Sequence, residues 1–119
     1  MGGSKVHPVL LQLRSLSAAL PETTEVIAWG HPTFRVRDKI FASFGVYKGV
    51  TTVSCKQTKI DQLALVEDPR IEIAKYVGKH GWITIRADEC PWPLIASLVE
   101  QSYRLIAPKK IVAVLEAES

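Results

Sequence analysis

Several signatures of chemistry are missing from this sequence, and each absence removes a class of function. Only two cysteines occur, Cys55 and Cys90, 35 positions apart. They form neither a CxxC pair nor the dense framework of a disulfide-stapled scaffold, and read as reduced, partly buried thiols. The three histidines, His7, His31 and His80, match no short metal-ligand spacing, and His31 and His80 neighbour glycines of expected turns. No metal or cofactor is expected. Gly78-Lys79-His80-Gly81 is too short for a phosphate-binding loop and lacks the Ser or Thr that must follow the lysine. No apolar run exceeds five residues, as at 111–115, against the roughly 18 or more that a membrane span requires. The start, Met1-Gly2-Gly3-Ser4-Lys5, has no apolar signal-peptide core. The expected location is the cytoplasm, without a membrane partner. Residues 1–4 are set apart as an appendage, leaving one domain over 5–119.

What is present describes an ordinary globule. Hydrophobic residues make up 47% and charged residues 23% of 119, far from the profile of disorder, and the length suits a single domain. The net charge of +3 is unevenly spread. Residues 31–60 hold Arg35, Arg37, Lys39, Lys48, Lys56 and Lys59 against Asp38 alone, net +5. A basic surface patch is expected there.

Periodicity divides the chain into helices and strands. Pro8 is placed as a first-turn proline, with Leu10, Leu13, Leu16 and Leu20 at helical spacing, so a helix over 8–19 is expected. Residues 22–29 read as a strand and Gly30-His31-Pro32 as a turn. Phe34-Arg35-Val36-Arg37 alternates at period two, Asp38-Lys39 is the expected hairpin turn, and strands follow over 40–46 and 50–56. Thr58 caps a short helix with Ile60, Leu63, Ala64 and Val66 on its buried side. Residues 70–77 are ambiguous between strand and loop. Trp82–Arg86 alternates clearly, a long helix follows the Pro91-Trp92-Pro93 opening, and a final helix covers 109–117. The expected fold class is α+β: an antiparallel sheet of about five strands with helices on one face, in the order α-β(3–4)-α-β(1–2)-α.

Alternation also assigns faces. If Phe34, Val36, Val53, Cys55, Ile83 and Ile85 point inward, then Arg35, Arg37, Thr52, Ser54, Lys56, Trp82, Thr84 and Arg86 point outward on a helix-free face. The candidate nucleic-acid-binding residues are therefore Arg35, Arg37, Lys39, Lys56, Trp82 and Arg86: cations for phosphates and an indole for an unpaired base. The competing explanation is a solvated face with Trp82 packed under a loop. Four engaged cations on duplex DNA give a log–log salt slope of roughly −3.6, about a 150-fold loss between 50 and 200 mM salt. Without a recognition helix, binding is expected to be weak and non-specific. Cys55 with His31 or His80 is a conceivable nucleophilic pair, but an alternating apolar strand buries the thiol and keeps it inert. No catalytic residue is expected.

Trp29-Gly30-His31-Pro32-Thr33-Phe34-Arg35-Val36 followed by Lys39-Ile40-Phe41-Ala42 resembles the central signature of the YjbR/MmcQ family. Ser54-Cys55-Lys56, Gly81-Trp82-Ile83, and Trp92 through Ser102-Tyr103-Arg104-Leu105 to Ala107-Pro108-Lys109-Lys110 agree with it in order. The resemblance implies an α-β(3–4)-α-β(2)-α arrangement, described as a double-wing or frataxin/secretion-chaperone-like fold. It also implies a DNA-binding label that rests mainly on fold analogy. The Asp38-Lys39 turn departs from the glycine-containing turn often found there. Two functions follow as expectations: non-specific DNA binding through the basic sheet face, or a protein- or small-ligand-binding adaptor. The oligomeric state is left open.

Overall fold

The computed structural model describes residues 7–118; residues 1–4, set apart above, lie outside it. The elements are α1 (Pro8–Ala18), β1 (Thr23–Ala28), β2 (His31–Val36), β3 (Lys39–Tyr47), β4 (Val50–Lys56), α2 (Lys59–Leu65), β5 (Ile71–Ile73), β6 (Trp82–Arg86), α3 (Trp92–Ile106) and α4 (Lys109–Ala117), with 3-10 turns at Gly78–His80 and Ala87–Glu89. One antiparallel sheet has the strand order β1-β2-β3-β4-β6-β5. The fold is α+β as expected, with six strands and four α-helices among the described residues.

Three hairpins close through two-residue turns whose residues both have positive φ: Trp29-Gly30, Arg37-Asp38 and Lys48-Gly49. These are type I′ turns, whose twist matches the flanking strands. Two expectations are thereby corrected. Gly30-His31-Pro32 is not the turn, because His31 and Pro32 already belong to β2. Asp38-Lys39 is not the turn either, because the hairpin closes one residue earlier and takes Arg37 out of the strand.

The core lies between one sheet face and the helices α1 and α3. Phe34, Val36, Phe41, Ala42, Val53, Cys55, Ile83 and Ile85 meet Leu13, Ile95, Val99 and Tyr103, all buried. Each aliphatic or aromatic side chain fully buried here contributes about 1.5–3 kcal/mol. Tyr103 packs edge-on against Phe41 at 5.4 Å and its hydroxyl donates to the Pro21 carbonyl at 2.7 Å, tying α3 to the start of β1. The register of β2 and β3 slips between Phe34 and Arg35. This leaves Phe41 and Ala42 both buried, the signature of a β-bulge. Ser102 of α3 serves this irregularity: its Oγ accepts the Lys56 N–H at 2.8 Å and donates to the Phe41 carbonyl at 2.6 Å.

Helix α2 is rotated from expectation. Ile60 is 80% exposed, and Leu63 and Ala64 are exposed as well, whereas Gln62 is buried. The Gln62 amide donates to the Gly78 and Trp82 carbonyls at 2.7 and 2.9 Å. Those two carbonyls, rather than an apolar stripe, set which side of the helix faces in. Gly81 has φ +93°, and a Cβ there would collide with the Gln57 carbonyl.

Candidate nucleic-acid interface

Cross-strand partners point to the same side of a sheet, so the register defines the helix-free face row by row. One row runs Val26, Thr33, Ser43, Ser54, Thr84, Glu72 across all six strands. Four of its members carry hydroxyls, and Ser54 Oγ lies 3.1 Å from Thr84 Oγ1. A neighbouring row holds Gly45, Thr52 and Arg86, with the His31 ring against Gly45. At the other end lie Thr24, Arg35 and Ile40, with Lys56 directly opposite Trp82. Arg35 and Lys56 sit two strands apart, roughly 10 Å at normal strand spacing.

A contact between two distant strands bounds this face as a trough. The Lys75 ammonium lies 5.9 Å from the centre of the Tyr47 ring, and Lys48 flanks the same ring at 5.6 Å. Lys75 follows β5, three strands away from β3. In a flat sheet that is about 14 Å laterally, with a further offset along the strands. The Lys75 side chain nonetheless reaches the far end of β3, and its contact with Tyr47 bounds the trough.

The six residues singled out from sequence separate. Arg35, Lys56 and Trp82 lie on the trough, and neither cation has a carboxylate partner among the described residues. Arg35 Nε donates to Thr33 Oγ1 at 3.2 Å, which in turn donates to the Val26 carbonyl at 2.6 Å. The guanidinium is thus positioned without being neutralised. Arg37 is not on the trough: from its turn it forms an ion pair with Glu22, at 2.7 Å from Nε and 3.4 Å from Nη2. That hydrogen bond holds the Glu22 carboxyl below its ordinary pKa and raises that of Arg37. Lys39 stands opposite Val36, which assigns it to the helix side at the exposed hairpin end. Arg86 is on the trough, but Glu72 and Glu89 each approach its guanidinium to 3.7 Å and offset its charge. The alternation of Arg35 and Arg37 failed at the turn; that of β4 and β6 held throughout. Ser43, Tyr47 and Lys75 also belong to the face. Alternation outward from Phe44 could have pointed to Ser43, but nothing local announces Lys75.

Other reactive groups lie elsewhere. The Cys55 thiol is wholly buried and pushed up to about 12 by that burial, which leaves almost no thiolate at neutral pH. His7 caps α1, with Nδ1 accepting the Val9 N–H at 3.0 Å and Nε2 near Asp88 and Thr51. Among the described residues no three His, Cys, Asp or Glu side chains converge as a metal site, and no helix is long and apolar enough to cross a membrane.

Comparison with known proteins gives a family and a fold. The YjbR family model matches residues 18–105. A crystal structure of the Deinococcus radiodurans protein DR2400, with a DUF419 domain, is similar at a TM-score of 0.75 and 21% identity, covering 90% of this chain and 87% of that one. No curated protein matches.

Proposed function

Starting from a chain that belongs to the YjbR family, we propose that its helix-free trough binds single-stranded nucleic acid, weakly and without sequence preference. The observation that carries this reading is the Arg35, Lys56 and Trp82 group: two cations without carboxylate partners among the described residues, one of them facing an indole across a strand pair. Cations follow a phosphate backbone, and an aromatic face stacks on any unpaired base. The serine and threonine hydroxyls between them supply short-range donors and acceptors for phosphate and sugar. A single strand is favoured over a duplex because no helix stands on this face to enter a groove, and because paired bases offer the Trp82 ring nothing to stack on.

The adaptor reading has its own support. Ile60 and Leu63 on α2 and Ile73, Tyr76 and Val77 in and beside β5 are exposed, apolar surface of the kind that protein partners cover. A gel-shift titration of oligo-dT against a duplex of equal length, at about 50 mM salt, separates the two. Retardation of the single strand at lower protein concentration than the duplex supports the proposal. Absence of retardation for both shifts the assignment to this exposed apolar surface and the adaptor reading.

A further inference from the structure

The sheet has two outer edges, and they are treated differently. Strand β5 is only three residues long and follows Pro69, which blunts it in the way natural sheets commonly do. Strand β1 runs for six residues, with no proline, no lysine and no bulge. Val26 is 40% and Ile27 60% exposed, and Trp29 at the adjoining hairpin tip is 87% exposed. We propose that β1 pairs with β1 of a second copy of this chain, antiparallel about a two-fold axis at Val26.

The hairpin fixes which backbone groups are available. A two-residue type I′ turn closes on a hydrogen-bonded pair, here Ala28 and His31. Ala28, Val26 and Thr24 therefore bond toward β2, while Ile27, Glu25 and Thr23 direct N–H and C=O outward. None of these outward groups bonds to the backbone of another described element. A second strand must set outward residues against outward residues, which leaves registers centred on Glu25 or Val26 and, with a shorter overlap, on Thr24 or Ile27. Centring on Glu25 opposes two carboxylates, which is unfavourable. Centring on Ile27 shortens the overlap and brings the Trp29-Gly30 turn onto Glu25.

Centring on Val26 sets Glu25 against the partner's Ile27, so that each pair exchanges two N–H···O bonds. Val26 then meets its own copy at a non-hydrogen-bonded site, where side chains approach most closely. Glu25 is the one charged side chain on the strand, and Arg14 already holds it through bonds of 2.7 and 2.8 Å. The edge thus presents a copy of itself with apolar contact and no unmatched charge. The two troughs become continuous across one sheet.

Sedimentation equilibrium of the full chain between about 10 µM and about 1 mM covers the relevant affinities. The mass should climb from 13.2 kDa toward twice that value. V26K and V26E should each weaken self-association at least tenfold. An equimolar mixture of the two should restore it, because position 26 faces itself. I27P removes an outward donor without touching the β1–β2 ladder, so it should weaken association while the thermal transition changes little. A mass fixed at 13.2 kDa over the whole range overturns the proposal. So does V26K associating like the parent, or a mixture that stays monomeric; in that case the edge is open to a foreign strand rather than to a copy.

Discussion

Replacing Arg35 by alanine should cut the salt dependence of oligonucleotide binding by about a quarter, whereas replacing Arg37 should leave it unchanged. On a single strand each neutralised phosphate adds about 0.7 to the log–log slope. Arg35, Lys56, Lys48 and Lys75 are the trough cations that no carboxylate pairs among the described residues, so the parent slope is about −2.8, a loss of about 50-fold between 50 and 200 mM salt. R35A should give about −2.1, or about 18-fold over the same range. Arg37 is held by Glu22 in the turn, so R37A removes a charge that the trough never presented. If Arg37 and Arg86 also took part, the slope would be about −4.2 and the loss about 340-fold. Fluorescence anisotropy of a labelled oligo-dT over a salt series measures the slope directly. A parent slope near about −4.2, or an R37A slope flattened as much as that of R35A, refutes this assignment of charges.

Other expectations concern single contacts. W82A should lower oligonucleotide affinity by about 1–3 kcal/mol, the value of one lost base stack, in the same anisotropy titration. S102A should reduce urea stability by about 1–3 kcal/mol, since the Lys56 N–H and Phe41 carbonyl that Ser102 bridges would be left unpaired. G81A should destabilise more than G30A: both glycines have positive φ, but only at Gly81 does a Cβ meet backbone, while at Gly30 it meets open space, where the cost is about 1 kcal/mol. Native Cys55 should resist an aromatic disulfide reagent at pH 8 and react only on unfolding, as burial and its raised pKa require. The Arg70 hydrogen bonds hold Asp68 down at about 2, from an ordinary 3.8. A carboxyl depressed on folding stabilises above its unfolded pKa and loses that contribution as pH falls through the folded one. The Asp68 contribution should therefore be complete above about pH 5 and vanish toward pH 2, and carbon-detected NMR titration of its carboxyl gives the midpoint.

Strands whose neighbours are close in sequence, or whose alternation is uninterrupted, were legible. Val53 and Cys55 inside, with Ser54 and Lys56 outside, followed from period two alone, as did Ile83 and Ile85 against Trp82 and Thr84. Arg37 was misplaced because type I′ turns usually declare themselves with Asn-Gly or Asp-Gly, and here Arg37-Asp38 adopts positive φ without a glycine. The neutralisation of Arg86 was invisible because Glu72 reaches it from β5, a strand whose three residues give too short a pattern to recognise. Helix α2 misled for a different reason. Ile60 and Leu63 carry the apolar spacing of a buried face, yet two backbone carbonyls claim Gln62 and turn those residues to solvent. The contact of Lys75 with Tyr47 joins segments 28 positions apart and has no local sequence signature.

The proposal places the functional surface on the helix-free face of the sheet. Amide chemical-shift mapping during titration with a short oligo-dT tests it residue by residue. The largest changes should fall on Arg35, Ser43, Ser54, Lys56, Trp82 and Thr84, with Arg37, Lys39 and α3 quiet. Changes centred on α2 and β5, or on the helical side of the sheet, would contradict it.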